Sequence, residues 1–209
     1  QVIPSIPKFV QQFARIGNAH VRGEIVMHKD VFNLSYAKDY SNVRNLTSGI
    51  INKLDTNKSN DLVFYAYALI ADMHLDTYTS IKNFLLLAGF NRLPHFVISS
   101  SNGMATAFSK FVADRDTFPY EIDGVVIKVE DLLTQRKLGD NQTSPNWACC
   151  LKFEAKGAST KLVDVIPQVG RTGEITPVAI VEPVVIDNVR ITNITLHNYA
   201  RVAAMQLNK

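Results

Sequence analysis

Apolar and polar positions change their period several times along the chain, and each change predicts an element. Residues 20–27, His-Val-Arg-Gly-Glu-Ile-Val-Met, alternate with period two and read as a strand. A helical stretch follows. A second helix is predicted from Val43 to Leu54, where Leu46, Ile50 and Leu54 recur every fourth residue. The apolar run 62–71 has the character of a buried strand. Residues 79–88 predict a helix that Gly89 ends, and Gly103 to Arg115 another, behind Ser100-Ser101-Asn102 as capping candidates. Strands then dominate, at 123–130, 147–153 and 161–170, with several short ones between 174 and 196. The shift falls near Lys156-Gly157-Ala158-Ser159, which divides the chain into domains 1–157 and 158–209. The fold class is α+β. The tail is short for a closed β-barrel, which needs about five strands, and reads as an unfinished domain.

Composition narrows the picture slightly. Of 209 residues, 46% are apolar and 20% charged, as in an ordinary globular chain. Twenty-two Lys and Arg against nineteen Asp and Glu leave a charge of +3, too even to identify a nucleic-acid partner by itself. Cys149 and Cys150 are neighbours. Their Cα atoms, about 3.8 Å apart, fall below the usual disulfide span, and no Cys or His cluster has zinc spacing. The expectation is a reduced, cytoplasmic protein. No apolar stretch approaches the roughly 20 residues of a membrane span, and the opening Gln1-Val2-Ile3-Pro4 is no signal peptide, so neither membrane nor secretion is expected. An opening without methionine reads as a piece of a longer protein.

Three of the strands carry a charge on an otherwise small or apolar face. Strand side chains alternate, so Arg22 and Glu24 oppose Val21, Gly23, Ile25 and Met27. Lys128 joins Val126 opposite Val125, Ile127 and Val129, and Lys152 joins Ala148 and Cys150 opposite Trp147, Cys149, Leu151 and Phe153. A solvated sheet face accounts for any one strand. Three together favour a polar pocket, whose two lysines suit an anion. In the 103–115 helix, Met104, Phe108, Phe111 and Val112 form one stripe that Arg115 extends, either snorkelling or aimed into that pocket. Arg44 is followed by Thr47 and Ser48, a small polar surface that a phosphate or another backbone could approach. Walker A, GxGxxG, HExxH and GxSxG motifs are absent.

Val21-Arg22-Gly23-Glu24-Ile25, Asp123-Gly124-Val125-Val126-Ile127-Lys128-Val129 and Lys152-Phe153 resemble three ordered motifs of the covalent nucleotidyltransferases, the superfamily of DNA ligases, RNA ligases and mRNA capping enzymes. Asn42-Val43-Arg44-Asn45, Ser48-Gly49 and Leu54-Asp55 resemble the segment after the Glu motif in NAD-dependent DNA ligases. Residues 168–179 and Thr195-Leu196-His197-Asn198 resemble the start of the OB-fold domain of the same ligases. The resemblance implies a nucleotidyltransferase domain over 1–157 and an incomplete OB-fold barrel over 158–209. It implies nick sealing through enzyme–AMP and DNA–adenylate intermediates, in replication and repair, with NAD as adenylyl donor and nicked double-stranded DNA as partner.

By the same resemblance Glu24 holds the adenosine ribose, while Lys128 and Lys152 bind the reacting phosphate. Arg44 and Arg115 contact phosphate groups, Asp123 helps bind Mg²⁺ or orients a lysine, and Arg171 reaches the DNA backbone. Zinc is implied only for a C-terminal module outside this chain, and the protein is expected to be a monomer at the nucleoid or a viral replication site. The chain departs from the family in one respect that matters: it has no Lys-x-Asp-Gly, the motif of the attacking lysine. Asn52 also stands where the family usually has a second arginine. The expectation is a fragment that cannot adenylylate itself. The rivals are a non-catalytic, ligase-like nucleic-acid-binding module and an ATP-dependent ligase or capping-type enzyme.

Overall fold

The computed structural model describes residues 3–16, 18–53, 57–154, 157–186 and 189–206. Leu54 and Asp55, expected at the end of the second helix, lie outside the described residues, as do Gln1, Val2 and Lys156. The chain divides into two compact units, 1–153 and 154–209.

The first unit is built on a sheet in which β1 (Ala19–Met27) pairs antiparallel with β2 (Leu62–Ala71), and β2 pairs in parallel with β3 (Asn91–Arg92). A bulge between Arg22 and Gly23 leaves Tyr67 as the extra residue of β2. Gly23 is required there, because a Cβ would strike the Phe64 ring and the Tyr65 carbonyl. Beyond the bulge, Gly23, Ile25 and Met27 lie opposite Ala66, Phe64 and Leu62, and this face is the buried one. Helix α1 (Lys29–Ser35) supplies Phe32, and α2 (Val43–Lys53) supplies Val43, Leu46 and Ile50, to a core with Met27 and Leu62. Met27 and Leu62 are 1% exposed; burying each such side chain contributes about 1.5–3 kcal/mol. Helix α3 (Tyr78–Leu87) brings Leu85 against Ala66, Ala88 and Phe90. Phe64 touches both clusters and joins them. The opposite face of the sheet carries Glu24 beside Tyr65, and Tyr65 packs edge-on against Tyr120 at 5.0 Å.

Helix α4 (Ser101–Ala113) starts two residues before the expected position, because the Ser100 hydroxyl accepts the Gly103 N–H at 3.1 Å. It also ends earlier. Asp114 closes it and Arg115 opens a short 3-10 turn, so Arg115 does not extend the helix stripe. None of the α4 side chains is buried. Thr47 is corrected too: it is buried, and its hydroxyl donates to the Val43 carbonyl at 2.8 Å instead of forming a polar surface with Ser48.

Strands β4 (Gly124–Lys128) and β5 (Ala148–Lys152) form a two-stranded antiparallel ladder, shorter at both ends than expected. Between them lies α5 (Leu132–Leu138), which the sequence reading omitted. The Asp131 carboxylate accepts the Thr134 N–H at 2.6 Å at its start, and Gly139, with φ of +62°, ends it.

The second unit is a three-stranded antiparallel sheet of β6 (Leu162–Val169), β7 (Ile175–Ile186) and β8 (Val189–Thr195), followed by α6 (Tyr199–Ala204). The expected series of short strands is two strands, one of them twelve residues long. Ala179, Val181 and Leu196 form its core with Leu162, Val165 and Val202.

Candidate functional site

The register of the short ladder decides where its two lysines stand. Gly124 pairs with Lys152 and Lys128 with Ala148. Gly124 and Lys128 are four residues apart, so Lys128 and Lys152 project from the same face, with about 13 Å of strand between their Cα atoms. A Cβ on Gly124 would run into the Leu151 carbonyl and the Lys152 Cα. Only glycine lets the strands close at this point, which ties the Gly of the Asp-Gly pair to the placement of Lys152.

Lys128 is held by aromatic groups. Its Nζ donates to the Tyr78 hydroxyl at 3.1 Å, and that hydroxyl donates to the Tyr67 carbonyl at 2.7 Å. The ammonium lies 4.4 Å from the Tyr78 ring centroid and 5.3 Å from that of Tyr67. Burial lowers its pKa from 10.5 to about 8. Burial, followed by the charge of Glu130 and the neighbouring Tyr67, raises that of Tyr78 to about 12, so the phenol stays protonated. Thr79 and Tyr78 donate backbone N–H groups to the Glu130 side chain and carbonyl, at 2.9 and 2.8 Å, and so fix the start of α3 against the end of β4.

Lys128 lines a cavity of about 1170 Å³, large enough for a nucleotide-sized ligand. Its wall includes the α4 stripe of Met104, Phe108 and Phe111, the strand β4, and Arg22, Lys82 and His95. The expected polar pocket is therefore present in part: Arg22 and Lys128 share it, whereas Glu24 and Lys152 are not among its lining residues.

The other predicted residues gather at the far end of the ladder. Arg44 on α2 lies 3.8 Å from the Asp123 carboxylate, both well exposed. The Phe153 N–H donates to the Asp123 carbonyl at 2.9 Å, and the Arg115 guanidinium stacks over the Phe153 ring at 5.4 Å. Arg44, Asp123, Arg115 and Lys152 are thus linked through Gly124 and Phe153. No hydrogen bond joins Glu24 to them among the described residues. Arg171 belongs to the second unit, in the exposed Gly170–Gly173 turn between β6 and β7. There Gly170 N–H meets the Glu174 carbonyl at 2.8 Å and Gly173 has φ of +84°.

Sequence reading missed Tyr67, Tyr78 and Lys82. Tyr67 sits in the run read as a buried strand and Lys82 in a predicted helix with no sign of burial, and the bulge that turns Tyr67 toward Lys128 has no signature in β2. Among the described residues no three or more His, Cys, Asp or Glu side chains cluster as metal ligands, and the Asp123 carboxylate faces a guanidinium. Among the described residues, the site therefore presents magnesium or zinc no cluster of protein ligands. No helix is long and apolar enough to cross a membrane among the described residues.

Comparison with known proteins identifies the family. Residues 1–156 match the model of the NAD-dependent DNA ligase adenylation domain, and residues 159–209 match that of the NAD-dependent DNA ligase OB-fold domain. A DNA ligase of Psychrobacter arcticus is 34% identical over 99% of this chain and 32% of its own length. One from Aliarcobacter butzleri is 35% identical over 99% and 33%, and one from Wolbachia pipientis 36% over 94% and 30%. The chain spans about a third of the length of these relatives, and it belongs to the NAD-dependent DNA ligase family, whose adenylation and OB-fold domains it matches.

Proposed function

We propose that this chain is the nucleotide-binding part of a ligase that seals nicks between 3′-hydroxyl and 5′-phosphate ends, with NAD as adenylyl donor. In this reading residues 1–157 form the adenylation domain and 158–209 the first strands of the OB domain. The observation that carries it is the β4–β5 register, which directs Lys128 and Lys152 from one face of a ladder closed by Gly124. Two ammonium groups so arranged can grip the oxygens of a phosphate and stabilise the charge that builds as its bonds exchange. Arg44 and Arg115 add guanidinium groups suited to bidentate phosphate contact. Asp123 orients Arg44, and Glu24 accepts a hydrogen bond from a ribose hydroxyl. Arg171 contacts the DNA backbone from its exposed turn.

Forming the covalent adenylate needs a positioned amine nucleophile, and no Lys-x-Asp-Gly occurs in the 209 residues. That same fact favours a second reading, a ligase-like module that binds nucleic acid and performs no adenylyl transfer. Equilibrium titrations of the chain with AMP and with a nicked duplex, alongside incubation with NAD labelled on its adenylyl half, test the proposal. It predicts saturable binding of both ligands and no covalent label. Duplex binding without AMP binding supports the second reading, and a stable label on any lysine of the chain overturns the role assignments.

A further inference from the structure

Lys82 has no role in the proposed reaction, yet its position is unusual. It lies on α3, is 2% exposed, and lines the same cavity as Lys128. A lysine is almost never fully buried without a partner that repays its desolvation. Here its Nζ donates to one neutral acceptor, the Leu93 carbonyl at 3.1 Å. An ammonium has three hydrogens to give, so this bond fixes its direction and leaves two for a ligand. The charges that act on Lys82 are cationic. Burial, then Lys128, then Arg92 lower its pKa to about 8. The same cations, Lys82 and Arg92, act with burial to lower that of His95, opposed only by Glu130. Glu130 is already occupied by the Thr79 N–H. A purely structural lysine would be matched by an acid or replaced by an apolar residue of similar length. A buried and a half-buried lysine facing one cavity instead call for an anion with more than one charged centre.

We propose that Lys82 is a further anion-binding residue, which holds the second phosphate of a pyrophosphate group whose first phosphate is held by Lys128. This rests on the reading of Lys128 as a phosphate ligand. Two kinds of ligand share the chemistry: NAD itself and a 5′-adenylylated strand, each with a pyrophosphate bridge.

Calorimetric titration of the chain with inorganic pyrophosphate and with inorganic phosphate tests the assignment, using Lys82→Met and Lys128→Met variants whose folding is checked by melting curves. The wild-type chain should bind pyrophosphate more tightly than phosphate. Lys82→Met should lower pyrophosphate affinity by roughly tenfold or more, the value of a charged hydrogen bond, and leave phosphate affinity nearly unchanged. Lys128→Met should weaken both. Undiminished pyrophosphate binding in Lys82→Met, with binding lost in Lys128→Met, overturns the inference and spares the reading beneath it. Undiminished binding in both variants overturns both. If Lys82→Met fails to fold, Lys82→Gln keeps a donor without the charge and is read in the same way. Repeating the titration with NAD and with a 5′-adenylylated oligonucleotide identifies which ligand uses the site, and a Lys82 effect on neither overturns the inference.

Discussion

Lys82 is buried and Lys128 half-buried, and this sets how the first unit responds to pH. Their pKa values fall from 10.5 to about 8, mainly through burial. Below pH 8 both are charged in the folded and unfolded chain, and the folded state bears the cost of burying them. Between about 8 and 10.5 the unfolded chain binds more protons than the folded one, so stability rises with pH across that window. Tyr78 and Tyr120, with pKa values raised to about 12, act in the opposite direction only above pH 10. Lys82 faces the charges of Lys128 from β4 and Arg92 from β3, and His95 feels Lys82 and Arg92 with Glu130 as the offsetting acid. Lys82→Met should therefore raise the melting temperature at pH 7 and flatten its rise between pH 8 and 10; an unflattened rise would place the titration elsewhere. Lys128 and Lys152 were legible in the sequence because each breaks an apolar strand alternation. Lys82 was not, since one lysine in a helix reads as a solvated position until the packing of α3 on β2 is known.

At the scale of elements, the β4–β5 ladder depends on one residue without a side chain. Gly124→Ala would drive a Cβ into the Leu151 carbonyl and the Lys152 Cα, backbone atoms that cannot swing aside. The expected cost is about 1–3 kcal/mol of stability, as for other overpacked sites, measured by denaturant unfolding. Phosphate binding should weaken as well, because Lys152 is displaced. Unchanged stability would show that the strands part easily there, and that the register does not hold the lysines. The long strands and α2 and α3 were legible because their apolar periods run for ten or so residues. Helix α5 is only seven residues long, and its cues, Asp131 before it and Gly139 after it, sit between two strong strand patterns that drew the reading. Strand β3 is two residues paired in parallel with β2, too short to leave a period. Helix α4 was found with its ends shifted, because Ser100, the first of the three capping candidates, caps it.

At the scale of the whole molecule, the proposed roles fall in both units, with Lys128 and Lys152 in the first and Arg171 in the second. In the sequence, that division is an expectation from motif order. The cavity beside Lys128 was legible only in part, since Arg22 and Lys128 meet there through a bulge and an aromatic clasp that no spacing encodes. The most direct test is calorimetric titration of AMP, and of a nicked duplex at several salt concentrations, into the chain and its Lys128→Met, Lys152→Met and Arg171→Ala variants. Each lysine variant, while still folded, should lose AMP affinity by roughly tenfold or more. Arg171→Ala should keep AMP affinity and lower the salt dependence of duplex binding by about one phosphate's share. AMP affinity unchanged in both lysine variants would contradict the account, because the face that Lys128 and Lys152 share would then not be where the nucleotide binds.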